Sequence, residues 1–255
     1  MMQAALAIKP FLFIPAAAKA GLAVVKPAVA CASCSLHGVC LPCDLNRPDL
    51  ERFGAIAATK RRIARGVSLY REGDAFEYLY AVHSGAFKTL AVSRHGEEKI
   101  TGFHLAGELL GLEAISAGRY GYGAVALEDS EVCAMPFAAL ERLAIAVPAL
   151  QRRLFRALSG DISRDHGLML LLGSMSAEQR LAAFLLSLSR RYRRLGFAAE
   201  RFILRMTREE IGNYLGLTLE TVSRLISRFQ REGLLAVHLR EIELREIERL
   251  REIVG

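Results

Sequence analysis

The sequence predicts an α+β chain: an antiparallel β-roll, then one long helix, then a C-terminal winged helix-turn-helix. Three observations predict this. Short apolar runs punctuated by glycine turns occupy the stretch before Pro148. A segment opened by Pro148 then repeats apolar side chains at alternating spacings of three and four. Finally, Met206 to Leu234 reads MTREEIGNYLGLTLETVSRLISRFQREGL, two segments of helical period separated by one glycine.

The 255 residues leave room for two modest domains and an ample core. A net charge of +7 favours a polyanionic partner. Arg is dense from Arg190 to Arg231, beside the two short helices. Residues 1–30 hold no Asp or Glu and are rich in Ala. Ala28-Val29-Ala30 superficially resembles a signal-cleavage site, but Lys19 and Lys26 interrupt the apolar core an exported leader needs. No run reaches membrane-spanning length. Residues 1–30 therefore read as a flexible or loosely packed arm, and the chain as cytoplasmic.

Residues 31–54 form a cysteine-rich segment. Four of the five Cys lie here, as Cys31-Ala32-Ser33-Cys34 and Cys40-Leu41-Pro42-Cys43. In a reducing compartment such clustering points to metal or redox use rather than to disulfides. Four thiolates this close can wrap one soft metal centre. The spacing admits a zinc knuckle, although the central gap is short for a zinc ribbon, and it equally admits an iron–sulfur cluster. His37, inside the loop, reads as a solvent-exposed bystander. A thiol redox enzyme would need an accessible C-x-x-C at a helix N-terminus. Pro42 sits inside the second pair, so the chain reads as a non-enzyme.

Residues 55–147 are expected to form the roll. Candidate strands are Tyr78 to Val82, Ala86 to Val92, Lys99 to Leu105 and Val132 to Met135. Turns are expected at Glu72-Gly73-Asp74, His83-Ser84-Gly85, Arg94-His95-Gly96 and Ala106-Gly107-Glu108. Cys133 lies on the last of these strands, far from the other cysteines in sequence.

Residues 148–175 carry a heptad seam of Phe155, Leu158, Ile162, Asp165, Met169 and Leu172, which fits a helix pairing with its own copy. Two copies would oppose their Asp165 carboxylates, so the seam reads as deliberately weakened. An ordinary amphipathic helix with a polar interruption is the competing reading.

Residues 176–255 hold the reader: a helix over Ser176 to Arg194, the helix-turn-helix, a small wing over Ala236 to Leu244 and a short terminal helix over Arg245 to Ile253. Thr207 is the expected N-cap of the first short helix, with Glu209 and Glu210 in its first turn. Gly216 makes the turn and Thr218 caps the second helix. Val222, Leu225, Ile226 and Phe229 give that helix an apolar face. Glu220, Thr221, Ser223, Arg224, Ser227 and Arg228 lie on the other, where Arg suits guanine, Glu suits cytosine and Ser suits phosphate or base. A module this small is normally used twice, by a symmetric dimer.

Taken in this order, the pieces resemble the CRP/FNR superfamily of bacterial transcription regulators, and most of all its FNR branch. The strings that carry the resemblance are TGFHLAGELLGLEAI (101–115), SAEQRLAAFLLSLSRR (176–191) and MTREEIGNYLGLTLETVSRLISRFQREGLLAV (206–237). It runs from about Cys31 to Val237. It implies that the roll is of the cyclic-nucleotide-binding jelly-roll type. Glu220, Ser223 and Arg224 match the branch's E-x-x-S-R reader, which implies an inverted-repeat site of TTGAT-type half-sites, with Thr218, Thr221 and Arg228 beside them. The resemblance further implies an oxygen-labile 4Fe-4S cluster on Cys31, Cys34, Cys40 and Cys133. It also implies a repulsive Asp in the dimer helix, matching Asp165, and RNA polymerase as a partner through the loop Ser93 to Glu98.

The chain departs from the pattern at Cys43, a fifth thiol read as a bystander or reserve. It also has Tyr120 and Gly121 where the cyclic-nucleotide branch carries Arg-Ser, so no cyclic nucleotide is expected. The reading is thus an oxygen-sensing regulator that binds DNA as a homodimer while its cluster is intact and controls anaerobic gene expression. The alternative keeps the DNA reader, places structural zinc at the cysteines and moves the signal to a small molecule in the roll.

Overall fold

In the computed structural model of the chain, residues 31–93 and 95–255 are described, together with the backbone of residues 23–25. The roll is built from two antiparallel sheets. The first contains β1 (Ala23–Val25), β2 (Thr59–Ile63), β4 (Tyr78–Ser84), β7 (Leu109–Leu110) and β9 (Ser130–Pro136), in the order β1-β2-β9-β4-β7. The second contains β3 (Ser68–Tyr70), β5 (Ala86–Val92), β6 (Glu98–Leu105) and β8 (Gly123–Ala126), in the order β3-β8-β5-β6. Between them lie Ile63, Leu69, Tyr80, Val82, Phe87, Leu110 and Val132, all buried. Of the arm expected to be loosely packed, Ala23–Val25 pairs along β2; the other residues of 1–30 lie outside the described ones.

The four strands anticipated from alternating apolar residues and glycine turns are present, as β4, β5, β6 and β9. Helix α1 (Arg47–Ile56) was not anticipated. Asn46 caps it by accepting from Asp49 N at 2.9 Å, Pro48 sits in its first turn, and it buries Leu50 and Phe53. It runs across the boundary expected at residue 54. Helix α2 (Ala114–Ala117) is a single turn between β7 and β8. Helix α3 (Phe137–Ala146) follows β9 directly, and extended backbone at Val147 separates it from α4 (Pro148–Ser174), which Pro148 opens. Of its 27 residues α4 fully buries only Leu150. Phe155, Ile162 and Met169 are 59%, 56% and 68% exposed, so the expected seam is an apolar stripe that the chain itself leaves uncovered.

The C-terminal part begins with α5 (Ala177–Arg194), where Ser176 and Gln179 form a reciprocal capping box. Helices α6 (Arg208–Leu215) and α7 (Leu219–Arg231) are the helix-turn-helix, capped by Thr207 and Thr218 as expected. Gly216 takes a left-handed φ of 65° at the turn. Gly212 is needed for a different reason: a Cβ there would lie 2.6 Å from the carbonyl oxygen of Leu217. Strands β10 (Arg201–Ile203), β12 (Glu241–Leu244) and β11 (Leu235–His238) form the wing sheet, and α8 (Ile247–Val254) closes the chain. The sequence pattern indicated the β11–β12 hairpin and α8 but not β10.

One apolar core joins the reader to the roll. Ala86, Ile100, Phe103, Leu105 and Leu127 of the roll pack with Leu181, Phe184, Leu185, Leu188, Ile211 and Leu215. At the α4–α5 junction the Arg180 guanidinium donates to the carbonyls of Met175 at 2.9 Å, Leu172 at 2.8 Å and Leu215 at 3.2 Å. It thereby satisfies carbonyls left open at the C-terminal ends of both α4 and α6.

Candidate metal centre and nucleic-acid interface

The cysteines occupy a series of turns packed over β9. Cys31–Ser33 is a short 3₁₀ turn, and further turns close at Cys34, Leu36 and Cys40. Leu41, Leu45, Leu50 and Phe53 anchor this loop in a core that also takes Leu150 of α4, with Leu154 and Leu158 packed against it. The loop therefore lies with its cysteines against the sheet. Cys31, Cys34, Cys40 and Cys133 line a single pocket with Leu36, Pro42, Phe53, Val82 and Met135. Cys43 is not part of that lining; its surroundings are Asp44 and Arg153.

All five cysteines are free thiols. Burial pushes the Cys40 thiol up to about 12 and the Cys133 thiol to about 11, and the neighbouring cysteines add to both shifts. Burial and Cys34 likewise raise Cys31, against the pull of Lys60. Left to themselves these thiols stay protonated at neutral pH, so ionised sulfurs there require positive charge in the pocket. Among the described residues no three His, Cys, Asp or Glu side chains converge closely enough to hold a single metal ion.

Two groups that the sequence pattern did not single out frame the pocket. Lys60 lies directly across the ladder from Cys133 and is 12% exposed. Its ammonium pairs with Glu131 at 2.9 Å and draws the Cys31 and Cys133 thiols down. His83 lines the pocket and touches Glu131 at 3.1 Å. His37, expected to be a solvent-exposed bystander, also lines the pocket: the turns fold its ring inward, and its Nε2 is buried without a hydrogen-bond partner among the described residues.

On the reader, α7 buries Val222, Ile226 and Phe229 and turns Glu220, Arg224, Ser227 and Arg228 to solvent, with Thr221 and Ser223 half-buried. The Oγ1 of Thr218 accepts from Thr221 N at 3.2 Å, and Arg224 donates to the Thr221 hydroxyl at 3.3 Å. The Glu220 carboxyl sits below its ordinary value because backbone and Thr218 hydrogen bonds favour the anion. Arg228 is engaged within the chain, by Glu232 at 2.7 Å and Glu178 at 3.0 Å.

The reader is held to the roll by polar contacts as well. Glu108 accepts from Arg191 Nε at 2.9 Å and Nη2 at 2.6 Å, and from Leu105 N at 3.0 Å. Burial would push the Glu108 carboxyl up, but the Arg191 charge and hydrogen bonds outweigh it and hold the group below the usual carboxylate value. His104 beside it is held down to about 4 by burial and is neutral at pH 7. Lys88 pairs with Glu210 at 2.9 Å and Arg205 with Glu128 at 2.6 Å. Asn213 accepts from Ile100 N at 2.7 Å and donates to the Glu98 carbonyl at 2.8 Å.

At the place where the sequence departs from the cyclic-nucleotide pattern, Tyr120 is buried. Its ring stacks on Tyr70 at 3.8 Å and its hydroxyl donates to the Tyr78 carbonyl at 2.6 Å. Glu108 receives three donors, two of them from the Arg191 guanidinium.

Comparison with known proteins agrees with this arrangement. The family model for the Crp-like helix-turn-helix domain matches residues 179–253, and that for the cyclic nucleotide-binding domain matches residues 60–146. The chain is 44% identical over 225 residues to the transcriptional regulatory protein btr of Bordetella pertussis, covering 88% of this chain and 93% of that one. It is 43% identical over 228 residues to the fumarate and nitrate reduction regulatory protein of Escherichia coli strain K12, covering 89% and 91%. Among solved structures it resembles FixK2 from Bradyrhizobium japonicum, with a TM-score of 0.70 and 34% identity, over 77% of this chain and 96% of that one. No helix of the described residues is long and apolar enough to cross a membrane. With a roll, a long uncovered helix and a helix-turn-helix in this order, and with these relatives, the chain belongs to the CRP/FNR family of transcription regulators.

Proposed function

We propose that the chain is an oxygen-responsive regulator, acting without catalysis in the cytoplasm, whose DNA binding depends on a 4Fe-4S cluster. One observation carries the reading. Cys133, about ninety residues away in sequence, lines the same pocket as Cys31, Cys34 and Cys40, whereas Cys43 does not. The donor set suits a cluster: four soft thiols lining one largely apolar pocket, with Lys60 drawing two of the sulfurs down. Cys31, Cys34, Cys40 and Cys133 would hold it, and when bound it would supply an oxygen-labile crosslink between loop and strand.

Joining these four residues fixes the loop on β9 and on the core it shares with α4. The seam residues Leu158, Ile162 and Met169, with Phe155, then pack against their copies in a homodimer. Asp165 opposes that pairing; burial and the neighbouring Asp161 already raise its carboxyl in the single chain. With the loop released, the opposed Asp165 pair leaves the chains monomeric, and a monomer presents only one reading helix. In the dimer, Glu220, Ser223 and Arg224 read bases in a TTGAT-type inverted repeat, with Thr218, Thr221 and Arg228 at the edges of the contact. The loop Ser93 to Glu98 is the proposed surface for RNA polymerase in activation.

The test uses protein purified without oxygen. Iron, acid-labile sulfide and zinc are measured, and the visible spectrum and sedimentation are followed as air is admitted. About four iron and four sulfide per chain, bleaching together with loss of dimer, is the expected result. Stoichiometric zinc with no response to air would overturn it and leave only the DNA reader standing.

A further inference from the structure

The cysteine loop makes polar contact with α4 around Cys40 and Asp44. Arg153, in the second turn of α4, is 22% exposed and reaches into the loop. Its Nη2 donates to the carbonyl of Cys40 at 3.3 Å, and its Nε lies 3.6 Å from the Asp44 carboxylate. Arg156, one turn further on, lies 3.5 Å from the same carboxylate. The Arg153 Nε is buried and has no hydrogen bond of its own, so the Asp44 carboxylate is what offsets its charge. The contact is aimed at a specific point: it engages the backbone of Cys40 itself and a side chain four residues on.

We propose that Arg153 is a positioning residue through which the state of the cysteine loop sets the dimer helix, with Asp44 as its partner. This rests on the reading that Cys40 is a cluster ligand. Asp44 is 51% exposed, so the ion pair alone is a weak tie, and three features make the whole contact a relay. Any rotation of the Cys40 peptide turns its carbonyl away from Arg153. A shift of the loop also separates Asp44 from both arginines at once, leaving a half-buried guanidinium to find water. And Arg153 sits beside Leu154, which packs in the core below the loop, while Phe155 and Leu158 follow on the seam. A change in the Arg153 side chain therefore acts where α4 leaves its own core and becomes interface. Cys43 lies next to this pair, between Cys40 and Asp44, so its role is that of a neighbour of the relay rather than a reserve ligand.

The experiment uses the full chain purified without oxygen, as the parent and as Arg153→Met, Arg153→Lys, Asp44→Asn and Arg153→Met with Asp165→Ala. Iron and sulfide content and the visible spectrum report the cluster; sedimentation velocity reports the dimer. Arg153→Met should keep the parent's iron and sulfide yet dimerise about tenfold more weakly, as expected for loss of one charge-assisted contact. Asp44→Asn should weaken the dimer in the same direction. Arg153→Lys should recover part of the loss, and Asp165→Ala should restore the dimer in the Arg153→Met background.

An Arg153→Met protein that dimerises like the parent overturns the proposal. So does one that loses iron in proportion to dimer, because Arg153 would then hold the loop rather than transmit its state. A parent without iron and sulfide overturns the cluster reading instead, and the unsubstituted control separates that failure from failure of the relay.

Discussion

Replacing Glu108 by Gln keeps the shape of the side chain and removes the charge on which the roll–reader junction is built. Glu108 and Arg191 are 19% and 16% exposed, and the carboxylate receives three donors. Leaving one partner of a buried pair uncompensated costs roughly 3–5 kcal/mol. Gln keeps some of the hydrogen bonds and Arg191 keeps the Phe103 carbonyl at 2.6 Å, so about 2–3 kcal/mol is expected. For a chain of this size that lowers the melting temperature by about 4–12 °C. The assay is thermal and urea unfolding of the parent, Glu108→Gln, Arg191→Met and the double variant, with coupling of about 2 kcal/mol expected from the cycle. The pH dependence gives a second readout. The folded carboxyl titrates below its ordinary value of 4.5, so its contribution is complete above that pH and is lost as pH falls through the lowered value. The gap between parent and Glu108→Gln should therefore be constant above pH 4.5 and close below it. Additive single effects, or a gap that widens in acid, would refute the reasoning.

Asp165→Ala should dimerise and bind DNA in air, as read by sedimentation and mobility shift, since it deletes the carboxylates that would oppose each other in the proposed dimer. An aerobic monomer would show that the seam is not limited by that residue. Arg224→Ala should lose about 1–3 kcal/mol of DNA affinity and relax preference at one base position in a competition assay; a uniform loss over all sequences would mark it as a phosphate contact. Gly212→Ala should destabilise the reader by about 1–3 kcal/mol, because its Cβ meets the backbone carbonyl of Leu217 rather than a movable side chain. Loss of DNA binding alongside a lowered melting temperature is the expected pattern there.

Much of the architecture was legible because period and punctuation agree locally. In β5 and β6 the apolar runs end at glycines with positive φ, Gly85, Gly96 and Gly107, so their limits follow from sequence. Thr207, Gly216 and Thr218 mark the helix-turn-helix by capping chemistry alone. What was not legible was set by partners distant in sequence. Strand β2, TKRRI, reads as a polar segment, and its pairing with β9 and β1 and the Lys60–Glu131 contact make it a strand. Asn46 and Pro48 do signal the start of α1, but next to the cysteines they resemble loop residues. The placement of Cys133 against the loop came from family resemblance, because no local pattern ties residue 133 to residues 31–40. Arg153, Lys60 and the Glu108–Arg191 pair leave no trace in hydrophobic period at all: each is a charge whose meaning depends on what the fold brings opposite it. His37 was misjudged for the same reason, since a polar turn gives no sign of which face it folds inward.

The Arg180 contacts at the α4–α5 junction bear on how target sites are told apart. A recognition helix on a slack tether could follow half-sites that drift apart or turn around the duplex. Here Arg180 binds the end of α4 to the end of α6, while Arg191, Lys88 and Asn213 hold the same unit to the roll. In the proposed dimer the distance between the two reading helices is therefore set before DNA arrives, and little ordering cost remains at binding. One extra base pair between half-sites moves the second by about 3.4 Å and turns it by about 35°. A stiff reader cannot follow both changes, so the proposed dimer would act as a ruler. It would reject sites by their spacing as well as by their bases, including sites whose half-sequences are individually perfect.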